Sequence, residues 1–130
     1  MVWVGRQGKP TPLSPDRRTY GEPHFSPDGK RLAVQVHEAG KTNVDVWVYD
    51  LERGVGTRLT FDEAADVAPF WSPDGKRVVF SSDSGGVFNI YWKRADGSGE
   101  AERLSESQNT QYGSSFSPDG KYVAFHQSNA

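Results

Sequence analysis

The sequence predicts an all-β chain of four-stranded antiparallel sheets stacked face to face. Three observations predict it: a turn motif that occurs three times, strand-like segments that keep its phase, and no helical periodicity anywhere. Ser26-Pro27-Asp28-Gly29-Lys30 returns as Ser72-Pro73-Asp74-Gly75-Lys76 and as Ser117-Pro118-Asp119-Gly120-Lys121, at spacings of 46 and 45 residues. Leu13, Leu59 and Leu104 each stand 13 residues before the next motif. Aromatic strands recur at Val2-Trp3-Val4, Val46-Trp47-Val48-Tyr49 and Ile90-Tyr91-Trp92. A period of about 45 residues is the length of one four-stranded propeller blade.

Each motif residue has a mechanical role. Proline holds the preceding Ser extended and pre-sets its own φ for a turn, Asp suits the next position, and Gly accepts positive φ. This is a type I turn closed by a glycine bulge, a common hairpin end. Asp28, Asp74 and Asp119 are therefore read as turn formers rather than as a repeated cation site. Arg31-Leu32-Ala33-Val34, Arg77-Val78-Val79-Phe80 and Tyr122-Val123-Ala124-Phe125 follow the turns. Their apolar residues are consecutive, which suits a strand covered on both faces. A two-layer sandwich would show cleaner alternation.

Residues 15–60 then form one blade, with strands from the inner edge outward at Glu22–Ser26, Arg31–His37, Asn43–Leu51 and Thr57–Thr60. Residues 61–105 form a second, at Ala68–Ser72, Arg77–Ser82, Phe88–Arg94 and Glu102–Ser105. Residues 1–14 supply the outer two strands of another blade, at Val2–Val4 and Thr11–Ser14. Residues 106–130 supply an inner pair, at Gly113–Ser117 and Tyr122–Gln127. Trp47, Trp92, Phe25, Trp71 and Phe116 are expected to pack between blades.

Composition narrows function. Four Trp, five Tyr and seven Phe among 130 residues argue for a packed core rather than disorder. Fifteen basic and seventeen acidic residues leave a net charge of −2, which is no footprint for nucleic acid or an anionic membrane surface. No apolar run approaches the roughly 20 residues of a membrane-spanning helix. Residues 1–5 lack the apolar core of a signal peptide, so the chain is expected to be cytosolic, excised from a longer protein, or processed. With no Cys, disulfides, thiolate metal sites and cysteine nucleophiles are excluded, and the compartment stays open.

The runs Phe25-Ser26-Pro27-Asp28-Gly29-Lys30-Arg31-Leu32-Ala33, Asp45-Val46-Trp47-Val48-Tyr49-Asp50 and Thr57-Arg58-Leu59-Thr60 resemble the WD-repeat-like propeller repeat of TolB and its relatives. The resemblance spans essentially the whole chain. It implies blades of a six- to eight-bladed ring, six being usual for TolB-like domains. Such propellers occur in periplasmic TolB, beside the catalytic domain of prolyl-oligopeptidase-type peptidases, and as C-terminal sensor-like regions of bacterial serine/threonine kinases. The stretch from Ile90 through Asp96-Gly97-Ser98-Gly99 to Leu104 is most similar to blades of the kinase setting. Two departures stand out: three periods fall short of any family ring, and Ser114 replaces Pro23 and Pro69 of the other repeats.

Catalytic machinery is not expected. There is no Gly-x-Ser-x-Gly elbow, and Ser81-Ser82-Asp83-Ser84-Gly85 reads as a polar loop at a strand end. His24, His37 and His126 fall in different strands without a paired spacing, so no metal is expected. Asp96, Ser98, Glu100 and Glu102 read as a tight turn rather than a calcium loop, and no phosphate-binding glycine loop or other cofactor motif occurs. Candidate binding residues instead fall on loops of one face: Tyr20, His37, Glu38, Asp62, Glu63, Asp66, Asp83, Gln111 and Tyr112, where acidic groups beside aromatics would receive a basic or amide-rich peptide.

Two function classes follow. One is a non-catalytic interaction scaffold that assembles as a homodimer, each C-terminal strand pair completing the partner's N-terminal pair to give six blades. The other is the accessory propeller, sensing or substrate-gating, of a larger bacterial kinase or peptidase.

Overall fold

A computed structural model describes residues 2–4, 6–12 and 18–129. The strands are β1 (Val2–Val4), β2 (Pro10–Pro12), β3 (Thr19–Phe25), β4 (Arg31–His37), β5 (Val44–Asp50), β6 (Val55–Arg58), β7 (Asp66–Trp71), β8 (Arg77–Ser82), β9 (Asn89–Arg94), β10 (Glu102–Arg103), β11 (Thr110–Phe116) and β12 (Val123–Ser128). They pair as two four-stranded antiparallel meanders, β3-β4-β5-β6 and β7-β8-β9-β10, flanked by the two-stranded sheets β1-β2 and β11-β12. Of the outer strand expected over Thr11–Ser14, the part from residue 13 lies outside the described residues, as does the repeat position Leu13.

The repeated turn is held by a small hydrogen-bond cage. Ser26 Oγ donates to Asp28 Oδ1 at 2.6 Å and accepts the Arg31 amide at 2.9 Å, while Asp28 also takes the Lys30 amide. The Gly29 amide closes the turn onto the Ser26 carbonyl, and Gly29 sits at φ 72°. The same bonds recur around Ser72 and Ser117. Each Asp carboxyl is held below its ordinary pKa, first by the Ser hydroxyl and then by the Lys amide.

The inner strands start earlier than the sequence suggests. β3 begins at Thr19, β7 at Asp66 and β11 at Thr110, each extended beyond a register shift that interrupts its pairing. Glu22 and Ala68 occupy φ 49° and 54° at equivalent points of the first two shifts. A bulge of this kind absorbs extra twist and lets pairing resume on its far side. In the third repeat the matching residue is Gly113, where a Cβ would lie 2.5 Å from the Phe70 ring.

Neither complete sheet can cover its own faces, so each is covered by a neighbour. β7 lies across β3, β4 and β5, and β11 lies across β7, β8 and β9. Trp71, Val78 and Phe80 of the second blade interlock with Ala33, Val46, Val48 and Leu59 of the first. Phe116 and Val123 repeat that placement against Phe70, Val79, Ile90 and Trp92. Trp71 is 3% exposed, donates its indole N–H to the His24 carbonyl at 2.9 Å, and carries the Arg31 guanidinium 4.5 Å from its ring centroid.

Two of the aromatics expected between blades sit differently. Phe25, the repeat equivalent of Trp71, is 49% exposed, because β1 and β2 provide no inner strands for it to lie against. Trp47 packs beside Leu32, Val34, Val36 and Tyr49 of its own blade, with Arg18 over its ring at 4.2 Å. Replacing Trp71 by Ala is expected to cost about 3–5 kcal/mol, the usual range for a buried large aromatic. Denaturant unfolding checks this, and a loss below about half a kcal/mol would contradict the packing.

Candidate functional site

The nine candidate residues divide among three places. Tyr20, His37 and Glu38 belong to the first blade. The Tyr20 hydroxyl lies 3.1 Å from that of Tyr49, and the rings meet edge to face. His37 Nε2 is 2.9 Å from the Lys41 carbonyl, and Glu38 pairs with Lys41, whose hydrogen bond holds the Glu38 carboxyl below its ordinary pKa. These contacts close the short loop between β4 and β5.

Asp62, Glu63, Asp66 and Asp83 gather where the chain enters the second blade. Asp83 Oδ1 accepts the Ala65 amide at 2.8 Å and Asp62 Oδ1 accepts that of Ala64, tying the 61–65 connection to the loop after β8. Glu63 is exposed. Asp66 is 1% exposed at the start of β7, with the Ser82 and Thr60 hydroxyls nearby but no hydrogen bond of good geometry to either carboxylate oxygen. Asp62, Asp66, Thr60, Ser82, Tyr91 and Lys93 line one cavity of about 460 Å³. Lys93 Nζ donates to the Leu59 carbonyl at 2.9 Å.

Gln111 and Tyr112 lie on β11. The Gln111 side-chain amide donates to Gln127 Oε1, leaving its own buried oxygen without a partner. Tyr112 stands between Phe88 and His126, with centroids 5.3 and 5.4 Å away. It lines a second cavity of about 430 Å³ with Glu22, Gln35, Ala68 and His126. The expectation of loop positions thus needs correction for Tyr20, Asp66, Gln111 and Tyr112, which are strand residues, while His37 ends β4 as expected. The inner strands run past their bulges and draw four of these side chains into the sheet. Sequence reasoning missed Gln35, which accepts the Ala68 amide at 3.0 Å beside the second cavity. A polar residue inside the otherwise apolar Leu32–Val36 run was its available signal.

The acidic groups near Thr60 differ sharply in electrostatics. Asp45 is buried, which pushes its carboxyl up, but Arg58 opposes this through a 2.7 Å ion pair. Asp66 forms no ion pair among the described residues. Burial pushes it up to about 7, the Asp62 charge adds to the rise, and the nearby Ser82 and Thr60 hydroxyls oppose it. Among the described residues, no three His, Asp or Glu side chains are grouped to hold a metal ion. Asp96 accepts both the amide and the hydroxyl of Ser98, forming a tight turn.

The Asp66 shift has a definite sign. A raised native pKa means that the folded chain holds the proton more tightly than the unfolded chain. Its stabilising contribution is complete below the ordinary value of 3.8 and is lost as pH rises through about 7. Asp66→Asn should therefore gain stability relative to the parent as pH rises from roughly 5 to 8, by at most about 3 kcal/mol. Melting of both proteins across that range checks this, and a pH-independent difference would overturn it.

The architecture and its repeats have clear relatives. Residues 8–130 match the TolB β-propeller domain family. The structure of a TolB from Agrobacterium tumefaciens superposes with TM-score 0.81 at 30% identity, covering 93% of this chain and 42% of that one. That of TolB from Acinetobacter baumannii gives TM-score 0.79 at 30% identity, covering 92% and 29%. A puromycin hydrolase structure shares the fold at TM-score 0.68 and 21% identity, over 80% of this chain and 17% of that one. The chain thus spans less than half of each of these proteins. The caged turn repeats, the stacked four-stranded sheets and the match over nearly the full length have one meaning: this chain belongs to the TolB β-propeller domain family.

Proposed function

We propose that the chain is a non-catalytic propeller scaffold whose two half-blades complete each other between two copies, giving a six-bladed ring. The observation that carries this reading is the exposure of apolar side chains at the half-blades. Phe25, Phe125 and Tyr122 are 49%, 44% and 72% exposed, whereas their equivalents in the second blade are buried or half-buried. Unpaired strand edges beside bare apolar surface favour pairing with another chain.

The two strand pairs are complementary. β1-β2 corresponds to an outer pair and β11-β12 to an inner one. Val34 pairs with Trp47 and Phe80 with Tyr91 across the corresponding strands. Phe125 holds the same place after its turn as Val34 and Phe80, and Val2 faces Pro12 as Trp47 faces Arg58 and Tyr91 faces Arg103, so in a closed ring the Phe125 backbone pairs with Val2 of a second copy. The loop face that carries Asp62 and Glu63 then serves a protein or peptide partner.

The second reading makes this segment the accessory propeller of a larger bacterial kinase or prolyl-oligopeptidase-type peptidase, its remaining strands supplied by the same polypeptide. The partial coverage of the related structures favours it.

Light scattering after gel filtration separates the two readings. The dimer predicts twice the chain mass of 14.4 kDa, and removing Met1–Ser14 or introducing Phe125→Pro should abolish it while circular dichroism stays β-rich. A folded 14.4 kDa monomer that ignores the deletion would overturn the dimer. Peptidase, esterase and kinase assays on this chain should give no turnover above blank; reproducible turnover lost on a single Ser or Asp substitution would overturn the scaffold reading.

A further inference from the structure

On the turn face, opposite the loops discussed above, the junction between the two complete blades opens into a cavity of about 620 Å³. Arg31 of the first blade and Lys76, Arg77 and Arg94 of the second line it, together with Asp74 and Asp96. We propose that this cavity binds a phosphate-type dianion, either a free phosphate or pyrophosphate or a phosphate monoester borne by a peptide. The inference does not depend on how the ring is closed.

The two carboxylates in the cavity are already engaged in their own turns. Asp74 accepts from Ser72 Oγ and the Lys76 amide, and Asp96 from the Ser98 amide and hydroxyl. None of the four cations forms an ion pair among the described residues. Four cations against two carboxylates leave an excess of two positive charges in one concavity, on a chain whose net charge is −2. A dianion matches that excess.

Two of the guanidinium groups are held in place before any ligand arrives. Arg31 lies over Trp71 at 4.5 Å and donates one nitrogen to the Gly75 carbonyl at 2.7 Å. Arg77 lies over Trp92 at 3.9 Å. Stacking fixes the plane of a guanidinium while leaving its edge donors available, and that fork suits phosphate oxygens. Lys76 and Arg94 are exposed at the rim and add charge without a fixed orientation. Glu100 and Glu102 stand in the adjoining cleft on the other side of Arg77 and Arg94, where Glu102 accepts the Trp92 indole N–H.

The next blade junction offers an internal comparison. There the equivalent cavity, about 280 Å³, has Arg77 as its one cation beside Asp74 and Asp119. Tyr122 occupies the repeat position of Arg77. The turn fold is thus shared by both junctions, but the positive excess is particular to the first.

Calorimetric titration at low ionic strength tests the proposal, using pyrophosphate in one arm and a phosphoserine peptide in the other. Binding in either arm, weakened about tenfold or more by Arg94→Ala and by Lys76→Ala but unchanged by Lys121→Ala, supports it. The arm that binds more tightly identifies the source of the phosphate. Lys76 and Arg94 are exposed, so both variants should melt like the parent. No binding in either arm at millimolar ligand, or an equal loss with Lys121→Ala, would overturn it.

Discussion

A four-stranded meander has two apolar faces, and the described part of this chain contains no helix to cover either. Every blade therefore depends on the inner strand of the next one, and the seat of Trp71 is that dependence in its clearest form. Its ring fills the face made by Ala33, Val46, Val48 and Leu59, its indole N–H satisfies the His24 carbonyl, and Arg31 closes over it. One residue thus combines apolar burial, a hydrogen bond and a cation–π contact across a single junction. Where the preceding blade lacks its inner pair, as at Phe25, the same position stays open to solvent.

The caged turn makes this stacking repeatable. Ser Oγ bonds both the Asp carboxylate two residues on and the amide five residues on, so the turn and the start of the second strand are set together. The aromatic just before the Ser and the Arg five residues after it then arrive at fixed places on the blade. Arg31 thereby reaches Trp71 of the next blade, while its repeat equivalent Arg77 lies over Trp92 of its own blade. Function can vary on such a frame because the turn tolerates change in neighbouring residues, as Tyr122 in the place of Arg31 and Arg77 shows.

Polar burial follows a different logic. Asp45 and Asp66 are both buried near Thr60, yet Asp45 has Arg58 at 2.7 Å and Asp66 forms no ion pair among the described residues. An ionised carboxylate without partners is costly away from water, and protonation is the alternative. The start of the second blade is therefore a point where stability depends on pH in the neutral range.

The fold was legible in the sequence because its determinants are local and repeated. Three copies of the turn in phase with Leu59, Leu104 and the aromatic strands specify blade length, strand order and the face each strand presents. The true start of the inner strands was not legible, because the bulges at Glu22 and Ala68 depend on left-handed backbone at residues that do not favour it. That choice moved Tyr20 and Asp66 from loops into strands, and the register shift at Gly113 did the same for Gln111 and Tyr112. Nor could the sequence show that Asp45 finds a cation while Asp66 forms no ion pair among the described residues, since Arg58 reaches Asp45 across two paired strands. The gathering of Arg31 with Lys76, Arg77 and Arg94 likewise comes from two different blades. Periodicity determines what each blade is; only the packing of one blade on the next decides which charges meet.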